Sequence, residues 1–112
     1  MNILYEIGIN NNDIKNICDI NKEILELIDE EVEIKVEIQK QLGCDNQIIK
    51  NIITTNSNYL LRFDNDILKL VNKLKSLGIA KLDITFDSNP FLLNYDAFEI
   101  DQFINKKQIM LG

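Results

Sequence analysis

Chemistry needs groups that move protons, attack electrophiles or hold a metal, and this chain of 112 residues is sparing with them. It has no His, which excludes His-based triads, His general bases and His-ligated zinc. Cys18 and Cys44 stand 26 positions apart, so no close pair can grip a metal or cycle as a redox couple. Each reads as a small buried apolar residue. The serines are Ser57, Ser76 and Ser88, none with a base at a recognisable spacing. Gly8, Gly43, Gly78 and Gly112 lie too far apart to form a phosphate loop. Asp64 with Asp66, and Asp83 with Asp87, are carboxylate pairs of the kind that do acid–base work or hold a hard cation. Without a neighbouring His or a calcium loop they read as ordinary solvated carboxylates. The inventory predicts a protein that is not an enzyme, with no cofactor and no metal.

Charge offers binding chemistry instead. The net charge is −6, against the cationic footprint a nucleic-acid binder normally needs. The distribution is uneven: residues 1–38 sum to −7, residues 39–81 to +4 and residues 82–112 to −3. The basic middle holds Lys40, Lys50, Arg62, Lys69, Lys73, Lys75 and Lys81. Lys69 and Lys73, four apart on a helix, could contact phosphates, and Tyr59 could offer a surface hydroxyl. The plainer reading is that the acidic flanks pair with this block, or that it is a solvated face. The acidic run Asp29-Glu30-Glu31, with Glu33 and Glu37, could imitate phosphates in a basic partner's groove. Acids at a helix start are also simply favoured by the helix dipole.

The elements that must carry these groups follow from the glycines. Gly8, Gly43 and Gly78 are spaced by 35 residues, each after Ile or Leu. Laying residues 7–38 over 42–73 gives ten identities in 32 positions, among them Asn11/Asn46, Ile14/Ile49, Asn21/Asn56, Leu25/Leu60, Asp29/Asp64 and Val36/Val71. The third copy is about two residues shorter, since Asn89 follows Asn56 by 33. A period of this length points to stacked helical units, each unable to bury its apolar face alone.

Within each unit, Asn11 or Asp45 is placed to cap a first helix carrying Ile14, Ile17 and Cys18, or Ile49, Ile52 and Ile53, on one face. A short turn then starts at Asn21, Asn56 or Asn89, each a good N-cap, with Pro90 suited to a first helical position. A longer helix follows Asp29, Asp64 or Asp96, and Glu99 stands at capping-box spacing from Asp96. Ile67, Leu70, Val71 and Leu74 form an apolar stripe running to Leu77, where Gly78 stops the helix. Val32 to Ile38 alternates with period two, as a strand would. Ile28, Val32 and Val36 at four-residue spacing, in register with Ile67 to Leu74, decide for helix.

These motifs resemble the repeats of mitochondrial transcription termination factors (mTERF), with their Leu-Gly step and Asn-Pro-x-Leu-Leu signature. Here the step is Leu42-Gly43 and Leu77-Gly78, and the signature is complete at Asn89-Pro90-Phe91-Leu92-Leu93. The first two units carry Lys22 and Ser57 where the signature has Pro. The resemblance implies part of a left-handed superhelix of helices, in a family whose members often bind nucleic acid along a basic concave groove.

The expectation is therefore an all-α, short α-solenoid of three tandem units, about 4–38, 39–74 and 75–112, in one domain. Its expected role is that of a protein-binding or regulatory module using a groove or an open end of the stack, with nucleic-acid binding through the basic middle unit as the alternative. No apolar run approaches the roughly 20 residues of a membrane span, and the first residues lack the pattern of a signal peptide, so a cytoplasmic location is expected. Homodimerisation through an exposed stack end is expected too, with Ile109, Met110 and Leu111 placed either to cover an end or to dock on a second copy.

Overall fold

The computed structural model describes residues 2–111, with side chains over residues 3–104. Among the described residues the chain is entirely helical: α1 (Asn2–Glu6), α2 (Asn11–Ile20), α3 (Asp29–Gln41), α4 (Asn46–Thr55), α5 (Asp64–Ser76), α6 (Leu82–Ser88) and α7 (Ala97–Leu111). Short 3₁₀ turns at Lys22–Glu26, Ser57–Leu61 and Pro90–Asn94 link α2 to α3, α4 to α5 and α6 to α7. The order short helix, 3₁₀ turn, long helix thus occurs three times. The period-two stretch is helical, as the register predicts: Val32, Val36 and Ile38 are buried while Ile34 points outward, 44% exposed.

Each junction into the next segment closes the same way. The amide of Gly43 donates to the carbonyl of Lys40, and the amide of Cys44 to that of Gln39. The pattern recurs with Gly78 on Lys75 and Ile79 on Leu74. This double closure needs a left-handed residue just past the helix end, and Gly43 and Gly78 supply it at φ +95° and +87°. An L side chain there would be strained by about 1–2 kcal/mol.

The caps differ in detail from the sequence expectation. Asn10, rather than Asn11, caps α2: its Oδ1 accepts from the Asp13 amide at 2.8 Å while Asp13 accepts from the Asn10 amide. Asp45 caps α4 as expected, accepting from the Ile48 amide at 2.8 Å. Asp29 and Asp64 are the first helical residues of α3 and α5, after Ile28 and Phe63, so they act through the helix dipole rather than as caps. Leu77, expected to end the apolar stripe of α5, is 44% exposed just past the helix end.

Packing follows three lines. α1 lies on α3, α3 on α5 and α5 on α7; α4 lies on α6; the 3₁₀ turns pack on one another. Ile17, Ile24, Val32, Ile49, Ile52, Leu60, Ile67, Leu70, Phe86 and Leu93 contribute to one apolar core along these seams. Because contacts join elements close in sequence, the molecule measures 50 × 26 × 22 Å, about twice as long as it is wide.

Side-chain bonds cross the seams at spacings near the period. Asn21 Nδ2 donates to Ser57 Oγ at 2.9 Å. Asn56 Nδ2 donates to the Pro90 carbonyl and to Asn94 Oδ1, both at 3.0 Å. Neither asparagine caps its own turn, contrary to the expectation; each ties its segment to the following one. Arg62 donates to Asp96 Oδ1 at 2.8 Å and to the Tyr95 carbonyl at 3.0 Å. Asp96 is thereby drawn away from a capping role, and only Glu99 completes its half of the box, accepting from the Asp96 amide. Lys73 pairs with Asp101.

Candidate docking groove

The seven cations of residues 39–81 are distributed over several elements. Lys40 sits in the last turn of α3, Lys50 on α4, Arg62 between the second 3₁₀ turn and α5, Lys69, Lys73 and Lys75 on α5, and Lys81 just before α6. Two of them are already neutralised by the third segment, Arg62 by Asp96 and Lys73 by Asp101. Lys40 and Arg62 line different grooves. Lys69, Lys75 and Lys81 are exposed.

Tyr59 is not a surface contact. It is fully buried, and its hydroxyl donates to the Lys35 carbonyl at 2.7 Å. The 3₁₀ turn that carries it lies under α3, which turns the ring inward. Burial raises its pKa, Cys44 adds to the effect, and the nearby Gln39 amide works in the opposite sense. Tyr59 belongs to a buried polar cluster with Lys35, Gln39 and Cys44, of which the sequence singled out only Cys44, as a packing residue. Lys35 Nζ donates to the Leu60 carbonyl at 3.4 Å, and Cys44 Sγ donates to Gln39 Oε1 at 3.4 Å. Burial lowers the Lys35 pKa, partly offset by Asp64 and Glu31. Burial, helped by Asp83, Asp45 and Asp87, pushes the Cys44 thiol up to about 12. Burial, then Asp19, also raises Cys18. Both thiols are therefore protonated and enclosed, as expected for packing residues.

The grooves converge elsewhere, on α3. One of about 490 Å³ runs between α1 and α3, lined by Ile3, Glu30, Glu33, Ile34, Glu37 and Lys40. A second, about 200 Å³, lies between α3 and α5, where Ile34 meets Leu68, Glu37 and Asp64. A third, about 340 Å³, is bounded by Leu27, Ile34, Lys35, Arg62 and Phe63. Ile34 lines all three. Around it stand exposed apolar groups, Leu68 at 42% and Phe63 at 76%. The carboxylates Glu30, Glu33 and Glu37 form the rim; they take part in neither the Arg62–Asp96 nor the Lys73–Asp101 pair. The arrangement is an apolar floor with an acidic edge, suited to holding an apolar side chain flanked by cations.

The sequence marked this acidic run but not Ile34, whose equivalent in the second segment is Lys69. The available signal was an Ile standing between Glu33 and Lys35 on a helix whose core positions were already filled by Val32 and Val36.

A further groove of about 470 Å³ lies at the end of the third segment, lined by Asn89, Leu92, Tyr95, Glu99, Ile100 and Phe103. The side chains of Ile109, Met110 and Leu111, expected to cover this end, lie outside the described residues. Among the described residues no group of three potential metal ligands comes together, and no helix is long and apolar enough to cross a membrane.

Comparison of the chain with protein-family models, with curated proteins and with solved structures gives no match.

Proposed function

We propose that this chain is a non-enzymatic, protein-binding helical-repeat module, a short α-solenoid that receives its partner in the groove around Ile34. The observation that carries this reading is the convergence of three grooves on one exposed isoleucine, beside the carboxylates Glu30, Glu33 and Glu37, which take part in neither the Arg62–Asp96 nor the Lys73–Asp101 pair. The solenoid description is supported by the threefold succession of elements and by Asn and Arg bonds that tie each segment to the next. The mTERF resemblance rests on its motif residues and adds a superhelical expectation. Nucleic-acid binding is the weaker reading, because Tyr59 is buried and two of the seven cations are already paired.

The test is a photo-crosslinking residue placed at position 34, with position 47 on α4 as an exposed control. Expected is a discrete protein adduct from position 34 in cells and none from position 47. Equal yields from the two positions, or adducts of nucleic acid only, defeat the proposal. Self-association through the groove at the end of the third segment is a second reading. The specific observation is Asn89, which holds the place of Asn21 and Asn56 but has an exposed side chain. Sedimentation of the wild type and of Tyr95→Asp decides it: a concentration-dependent dimer lost in the variant supports it, and a monomer at high concentration removes it.

A further inference from the structure

We infer that the partner received beside Ile34 presents a basic, apolar segment, with two apolar side chains flanked by Arg or Lys, along the seam between α3 and α5. This rests on the docking proposed above and names the chemistry of the occupant. The two grooves that carry it lie between the first and second segments and are lined only by residues from Leu27 to Leu68.

Comparing this seam with the one between the second and third segments fixes that chemistry. The bond from Asn21 to Ser57 in the first seam recurs in the second as the bond from Asn56 to the Pro90 carbonyl, the two ends shifted by 35 and 33 residues. In that register Arg62 and Asp96 of the second seam stand where Leu27 and Phe63 stand in the first, and Phe63 and Asp96 each directly precede a long helix. Lys73 and Asp101 likewise stand where Ile38 and Leu68 do. The second seam is therefore closed at both points by an ion pair. The first has an apolar pair at each: Leu27 and Phe63 line the groove of about 340 Å³, Ile38 and Leu68 that of about 200 Å³. Phe63 is left 76% exposed and Leu68 42%, and Ile34, at 44%, lines both grooves. Three large apolar groups exposed along one seam form the kind of patch that a partner covers.

Charge decides what else the occupant brings. The smaller groove is lined by Glu37 and Asp64 and by no cation, and neither carboxylate belongs to the Arg62–Asp96 or Lys73–Asp101 pair. The larger groove holds Lys35 and Arg62, but Lys35 donates to the Leu60 carbonyl and Arg62 to Asp96, while Glu31 and Asp64 line it as well. Lys or Arg beside each apolar anchor is answered by these carboxylates, whereas an acidic or phosphate-bearing ligand is repelled. A second copy of this chain, at −6, is disfavoured for the same reason. From Phe63 to Leu68 is five residues, about 7.5 Å along a helix axis, so apolar side chains one turn apart on a partner helix reach both grooves.

The experiment uses the full chain and three labelled peptides of about twelve residues, roughly three helical turns. One has Leu at helical spacing with Arg around it, one the same Leu with Glu, and one Arg with Ala in place of Leu. Fluorescence anisotropy should show the Leu/Arg peptide binding at least about tenfold tighter than either other. Leu27→Arg with Phe63→Asp, which places the second seam's ion pair in the first, should weaken it at least about tenfold, as should Leu68→Asp and, separately, Glu37→Gln with Asp64→Asn. Ile84→Asp, at an exposed position on α6 outside both grooves, should leave the affinity unchanged. Circular dichroism checks each variant; if the Leu27/Phe63 double variant does not fold, Phe63→Ser, at a largely exposed side chain, takes its place. Equal binding of the Leu/Arg and Leu/Glu peptides, no binding of any, or indifference to either the apolar or the carboxylate substitutions overturns the inference. A self-associating wild type that Phe63→Ser makes monomeric would name a second copy as the occupant, and likewise overturns it. A protein crosslink from position 34 obtained alongside any of these results leaves docking at Ile34 standing; without that crosslink the docking reading falls as well.

Discussion

Replacing Asn56, Asn21 and Asn89 by Ala separates a local role for these asparagines from a role across the seam. All three precede a 3₁₀ turn. Were they N-caps, the three substitutions would cost similar amounts, typically about 1 kcal/mol each. The structure predicts a gradient instead. Asn56 is 2% exposed and its amide donates twice, to the Pro90 carbonyl and to Asn94. Losing a buried hydrogen bond costs about 1 kcal/mol net, and stranding a buried carbonyl about 1–3 kcal/mol, so Asn56→Ala should lose about 2–4 kcal/mol. Asn21 is half-buried with one bond, to Ser57, which predicts about 0.5–1.5 kcal/mol. Asn89 has an exposed side chain, so Asn89→Ala should fall within about 0.5 kcal/mol of wild type. For a chain of this size each kcal/mol moves the melting temperature by roughly 4 °C, so Asn56→Ala should melt about 8–16 °C lower. Urea titration and thermal melts followed by circular dichroism measure all three. Equal losses at the three positions, or a loss at Asn89 as large as at Asn56, would show that these residues act on their own turns and refute the cross-seam argument.

Four other outcomes follow from the same geometry. Tyr59→Phe removes the donor to the Lys35 carbonyl and should cost about 1–2 kcal/mol in urea titration; a loss below about 0.3 kcal/mol contradicts the bond. In alkali, Cys44 and Tyr59 keep their protons in the folded chain beyond the ordinary values of 9.0 and 10.0 at which the unfolded chain releases them. The contribution of Cys44 is whole below pH 9.0 and is lost as the pH climbs toward about 12, while that of Tyr59 starts to fall only above pH 10.0, so urea midpoints should fall across that window and Cys44→Ala should flatten the decline. Lys35 opposes this trend, since its folded value lies below 10.5 and its contribution rises with pH toward that value. Cys18 and Cys44 are both buried, so a thiol reagent should react slowly with the native protein and fast in urea; two rapid equivalents without denaturant would disprove their enclosure. Finally, Gly43→Ala should cost about 1–2 kcal/mol by unfolding measurements, a purely conformational penalty because nothing comes closer to an added Cβ than Asp83 at 3.9 Å.

The sequence by itself determined what depends on near neighbours along the chain. The glycine steps mark the helix ends because only a residue free to take positive φ closes those hydrogen bonds, and Gly43 and Gly78 do so. The four-residue spacing of Val32 and Val36 resolved an alternating stretch as helix, and the Asn and Pro90 positions located the 3₁₀ turns. What those side chains do was settled by tertiary contact, because a hydrogen-bonding group goes to the best partner the fold brings within about 3 Å, wherever that lies in the sequence. Asn21 and Asn56 reach the next segment instead of their own turns, Asp96 turns to Arg62, and Tyr59 points inward under α3. Leu25 and Leu60 make the same point through burial. The pattern is the same in both turns, yet Leu25 is 68% exposed while Leu60 is enclosed beneath α3.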